Sequence, residues 1–191
     1  MSDRLVGAGK ERYISLSPQT TLRFLPQSYP FVMLDRVKAC YPETGLSHAV
    51  KHVTMTDPVL SGHFPAFPIY PGVLVIEAMV QNAGVSITMS ELYRSVGSLE
   101  ALLERFREPV GALPGERKQY VLAECRIKHT QPIFPGCAID LEARLIMSRE
   151  GVYVFKTLAA VDGVEVAKGQ LTMAEVPVTM TEGMLDRIGT G

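Results

Sequence analysis

The chain concentrates no charge: 19 Lys and Arg face 20 Asp and Glu, for a formal net charge of −1. No block of one sign occurs, which argues against nucleic acid or an anionic membrane surface as the main partner. Cysteine is scarce. Cys40, Cys125 and Cys137 form an odd, scattered set, read as reduced, buried thiols rather than a disulfide frame or a zinc pattern. A glycine-rich nucleotide fingerprint is missing, so no cofactor is expected. His48 and His52 are four apart; on a strand they share one face but stand roughly 13 Å apart, too far to hold one metal. The longest strongly apolar run, Val73 to Val80, is broken by Glu77 and is too short for a bilayer. An apolar signal region is also lacking at the N-terminus, which points to the cytoplasm.

What is present suits one soluble domain. The 191 residues are 47% hydrophobic and 20% charged, enough for a single core. Residues 1–17 are polar and aperiodic and read as a flexible N-terminal arm. The domain is expected over 18–175, with an insertion at 94–119 and a C-terminal tail at 176–191. Phe31–Leu34 reads as a short buried strand, and Leu46–Thr54 as a second. From Gly72 to about Tyr93 apolar residues point in nearly every helical direction, the pattern of a buried helix. Ser98 is placed to cap a short second helix reaching about Arg107. Leu99, Leu102, Leu103 and Phe106 give that helix one apolar stripe, expected over a tunnel mouth or subunit edge. Ile139 to Met147 alternates like a strand with one apolar face. Val152–Val161 and Val164–Met173 flank Asp162-Gly163, a strong hairpin signal. Strands clustered before and after one buried helix imply an α+β fold, an antiparallel sheet curled around the helix.

The chemistry concentrates between residues 61 and 84. Three prolines and two glycines in Ser61–Gly72 exclude a regular helix or central strand and make a rigid loop. His63 sits in it, held at a fixed angle. Glu77 falls in the second turn of the apolar helix. Its neighbours at spacings of three and four supply one polar group, Gln81, so a solvent-facing stripe is the weaker reading. Burial of a carboxyl raises its pKa. Gln81 can hydrogen-bond that carboxyl or serve as a satisfied polar core residue. His and Glu together make an acid–base set near neutral pH. The first N–H groups of the helix, at Gly72 and Val73, lack intrahelical partners and favour a developing negative charge. His129, in the strand-like Arg126–Thr130, reads as a packed or surface residue.

The run from Gly62-His63-Phe64-Pro65 through Pro71-Gly72 and Glu77 to Gly84 resembles the core motif of the (3R)-hydroxyacyl-acyl-carrier-protein dehydratases. Leu25–Phe31 and Asp35-Arg36-Val37 resemble the family's opening segment, and Pro132–Gly136 its Pro-x-x-Pro-Gly turn. The similarity spans Leu22–Met173 apart from 94–119. It implies a hot-dog fold and dehydration of a 3-hydroxyacyl chain on an acyl carrier protein to the trans-2-enoyl thioester. It implies His63 and Glu77 as the catalytic pair, facing each other across a dimer interface, with Gly72 and Val73 as oxyanion donors. It also implies a homodimer or trimer of dimers. Glu at 77, where related dehydratase–isomerases carry Asp, favours the plain dehydratase branch. Thr130-Gln131 replaces the family's usual basic pair before the Pro-x-x-Pro-Gly turn. A basic surplus in 94–119, including Arg105, Arg107, Arg117 and Lys118, could take over as landing site for an acidic carrier. The competing readings are a hot-dog thioesterase and a non-catalytic acyl-binding homologue. Retention of His63 and Glu77 speaks against the second, and the proline-rich His loop against the first.

Overall fold

The structure is a computed structural model that describes residues 3–7, 12–107 and 118–176. Its order is β1 (Arg4–Val6), β2 (Tyr13–Ser15), α1 (Pro18–Arg23), β3 (Arg36–Tyr41), β4 (Leu46–Val53), α2 (Gly72–Val96), α3 (Leu99–Arg105), β5 (Gln119–His129), β6 (Cys137–Arg149), β7 (Val152–Val161) and β8 (Val164–Val176). The eight strands make one sheet in the order β1-β2-β3-β4-β6-β7-β8-β5. Every pairing is antiparallel. The sheet curls around α2, which touches β3 through β8. This is the α+β hot-dog arrangement.

The buried helix is real and runs slightly past its expected end. Val75, Ala78, Met79, Ala83, Val85, Ile87 and Met89 are buried. Gly97 closes it at φ 79°, donating its N–H to Tyr93 O at 2.8 Å; a residue in this left-handed region favours glycine. By length and composition α2 could cross a bilayer, but most of its apolar window is covered by the sheet. Ser98 caps α3 by accepting from the Ala101 N–H at 3.1 Å. The β7–β8 turn has positive φ at both Asp162 and Gly163, as a two-residue hairpin requires. Glu150 and Gly151 turn β6 into β7 in the same way, a hairpin not anticipated.

Several expectations are corrected. Phe31–Leu34 is not a strand. Pro30 has no N–H to give a ladder, and the Gln81 side chain serves this segment as a ladder partner. Its amide oxygen accepts from Met33 N–H at 2.8 Å, and its Nε2 donates to Phe31 O at 2.8 Å. The described part of the N-terminal segment, residues 3–7 and 12–17, is not a loose arm. β1 and β2 extend the sheet beyond β3. Asp3 accepts from the Ser17 N–H and the Thr20 hydroxyl, each at 2.6 Å, an anchor that polarity alone does not reveal. The apolar face of β6 stops early, because a register shift between Leu145 and Met147 leaves Met147 47% exposed. Of the thiols only Cys40 is buried; Cys125 is exposed and Cys137 intermediate.

The 94–119 segment is partly core. Leu99, Leu102 and Phe106 are buried, and Phe106 meets Phe24 edge-on at 5.2 Å. Arg23 donates to Phe106 O at 2.6 Å. The stripe therefore covers α2 and the N-terminal strands. It follows α2's C-terminal end, about 36 Å along the axis from Gly72. Residues 108–117 and 177–191, with Arg117 and most of the tail, lie outside the described residues.

Candidate active site

The loop between β4 and α2 is knitted by its own backbone. Ile69 N–H donates to His63 O at 2.9 Å, and Phe67 N–H to Phe64 O at 3.0 Å. Tyr70 N–H donates to Ile133 O at 2.8 Å, tying the loop to the segment after β5. His63 Nδ1 lies 2.8 Å from Ile69 O. A carbonyl only accepts, so Nδ1 carries the proton, and in the neutral ring Nε2 is left with its lone pair. The ring stacks on Phe64 at 4.2 Å.

Pro71 opens α2 without a side-chain cap. The helix's first backbone bonds run from Leu74 and Val75 N–H to Pro71 O. Among the described residues Gly72 and Val73 N–H have no acceptor, as expected of a helix start. Gly72 lines an open cavity of about 350 Å³ together with His63, Ile69, Val75, His129 and Ile133. His63 and Gly72 are thus brought together as expected.

Glu77 is not in that cavity. Five residues past Gly72, it lies about 140° further round the helix. Gln81 Nε2 donates to its Oε1 at 2.9 Å, and Gln27 Nε2 at 3.4 Å. Burial raises the Glu77 pKa, and the Gln81 bond opposes that rise. Gln81 is 2% exposed, so it is both the polar core residue and the carboxyl's partner. Within one chain, then, Glu77 with Gln81 lies outside the cavity that His63 and Gly72 line.

His48 and His52 stand at the surface, 3.9 Å from Glu142 and 3.4 Å from Asp35. His129 is exposed, within the sequence reading, but that reading missed that it lines the cavity beside His63. Gln27 was also missed. Neither shows in the local pattern, since each reaches the site from a distant segment.

Comparison with known proteins shows the family and the fold. Residues 25–110 match the model of the FabA-like domain family. The chain is 35% identical, over 84% of its length and 93% of the relative's, to the 3-hydroxyacyl-[acyl-carrier-protein] dehydratase FabZ of Polynucleobacter asymbioticus. It is 34% identical, over 78% and 87%, to that of Aliivibrio fischeri. Among solved structures it superposes on the dehydratase heterocomplex ApeI:P of Xenorhabdus doucetiae, with a TM-score of 0.60 at 24% identity over 86% and 96% of the chains. A hot-dog-like protein of Thermanaerovibrio acidaminovorans superposes with a TM-score of 0.53 at 16% identity over 79% and 95%. These last two likenesses carry the fold.

Proposed function

The chain belongs to the 3-hydroxyacyl-[acyl-carrier-protein] dehydratase family and dehydrates a 3-hydroxyacyl thioester to the enoyl thioester, and we propose that His63 and Glu77 do the chemistry. The observation that carries this is the bond from His63 Nδ1 to Ile69 O. It leaves Nε2 with its lone pair on a ring that lines the same cavity as Gly72 at the helix start. His63 Nε2 removes the proton beside the carbonyl. The enolate charge rests on the Gly72 and Val73 N–H groups. Glu77, whose burial favours the neutral acid, donates its proton to the departing hydroxyl. Gln81 and Gln27 position that carboxyl.

Because Glu77 lies outside the cavity that His63 of its own chain lines, the working unit is a homodimer in which His63 of one copy meets Glu77 of the other, alone or as a trimer of dimers. Among the described residues β5 is a sheet edge whose outer side has no partner strand, and Val121 and Leu122 on it are 47% and 40% exposed. Such an edge is a template for a second chain. Phe64 and Phe67 of the His63 loop and Val73 of the first turn of α2 are also exposed and await cover. The substrate is carried on an acyl carrier protein, and the enzyme works in the cytoplasm in fatty acid or related acyl-chain synthesis. The test is incubation with a 3-hydroxyacyl thioester, following enoyl absorbance against free thiol. Enoyl formation without thiol release is expected; thiol release alone would make the protein a thioesterase, and neither product a non-catalytic homologue.

A further inference from the structure

We propose that His129 is a second imidazole that touches the substrate, holding the thioester carbonyl oxygen against the start of α2. This rests on the dehydratase reading above. His129 is the last residue of β5, paired with Ala167 of β8. The next residue clamps it in place: Thr130 N–H donates to Val166 O at 2.9 Å and its hydroxyl to Glu165 O at 2.8 Å. From that anchor the ring reaches the helix start. A Cβ on Gly72 would lie 3.1 Å from both His129 Cε1 and Nε2. That is closer than ordinary contact, so glycine at 72 is what lets the ring approach.

Two imidazoles and the helix-start residue Gly72 thus share one cavity whose other walls include Ile69, Val75 and Ile133. Their constraints differ. Ile69 O fixes the His63 tautomer with Nε2 as acceptor. Among the described residues neither His129 nitrogen has a hydrogen-bond partner, so its Nε2 is free to present an N–H. In the elimination, His63 Nε2 takes the C2 proton and the C–H electron pair moves into the enolate. Its oxygen accepts hydrogen bonds from Gly72, Val73 and His129. As the enolate collapses the C3–O bond breaks, and the hydroxyl leaves as water with the Glu77 proton. The proton on His63 returns to Glu77 through solvent. His129 transfers nothing; it stabilises charge that exists in the transition state and not in the ground state, and so acts on kcat rather than KM.

The experiment compares the parent with His129→Phe and His129→Gln in the full chain, each checked for an unchanged thermal midpoint, on a (3R)-hydroxydecanoyl pantetheine thioester. Phe keeps an aromatic ring over Gly72 and loses the donor; Gln keeps a donor and loses the ring. The expected result is that Phe lowers kcat about a hundredfold, the lower end for loss of one oxyanion donor, with KM unchanged. Gln recovers at least about tenfold of that loss. If Phe stays within about threefold of the parent, or if Gln is the worse of the two, His129 is a packing residue and the inference falls while the dehydratase reading stands. A parent that forms no enoyl product overturns both.

Discussion

Replacement of Gln81 by Leu tests how the site is held. Leu nearly matches Gln in volume, so little cavity opens. Three hydrogen bonds disappear: from Met33 N–H at 2.8 Å, to Phe31 O at 2.8 Å and to Glu77 Oε1 at 2.9 Å. Their costs are unequal. Met33 is 6% exposed, so its N–H stays buried and unpaired. Phe31 is 49% exposed, and water can replace the amide at its carbonyl. Glu77 is partly buried and keeps the longer bond from Gln27. The sum is about 2–4 kcal/mol, most of it from the orphaned N–H and the stranded carboxyl. For a domain of this size that is a fall of roughly 5–15 °C in the thermal midpoint, read by calorimetry. The second readout is kinetic. The Gln81 bond is what opposes the burial-driven rise of the Glu77 pKa, so its loss raises that pKa further. In the proposed mechanism Glu77 is the protonated acid, so kcat falls as pH rises through its pKa, and the variant's alkaline limb must move to higher pH. A midpoint within about 2 °C of the parent, or a limb moving to lower pH, refutes this account of Gln81.

Glu77→Gln and His63→Ala should each fold and lose more than about tenfold in kcat, some 1.4 kcal/mol or more of barrier. Mixed, unfolded and refolded together, they should regain about a quarter of parental activity, because half the dimers carry one intact site built from both chains; no recovery would place both groups of a site on one chain. Glu91 receives hydrogen bonds from Tyr120 at 2.6 Å, Tyr153 at 3.0 Å and Lys118 at 3.2 Å. Burial pushes its pKa up, but these bonds outweigh it and leave a net lowering. A carboxyl with a lowered folded pKa stabilises above its ordinary value of 4.5 and loses that contribution as pH falls through the folded value. Tyr120→Phe with Tyr153→Phe should therefore flatten the loss of stability on the acid side, measured by urea unfolding at about pH 3 to 6; an unchanged slope would contradict it. Gly169→Ala should destabilise by about 3 kcal/mol or more, because its Cβ would fall 1.9 Å from Arg126 O and split β5 from β8; a thermal midpoint equal to the parent's would show that the ladder absorbs it.

The features that sequence settled are those written in neighbouring residues. Asp162-Gly163 determines a two-residue turn through its own φ preferences. Ser98 caps α3 by reaching the N–H three residues on. The proline run before Gly72 excludes helix and strand wherever it sits, and the apolar girth of α2 demands cover from something. Tertiary structure decided what depends on partners far along the chain. Whether Phe31–Leu34 became a strand rested on an amide at Gln81, some 50 positions on. Whether the N-terminal residues stayed loose rested on β3 offering them an edge and on Asp3 bonding Ser17 and Thr20. The candidate site followed the same division. The residue types and the rigid loop were legible in one 23-residue segment, Gly62 to Gly84. That α2 leaves Glu77 outside the cavity His63 lines, and that the end of β5 brings His129 over Gly72, follows from helix rotation and strand order, which act through space rather than along the chain.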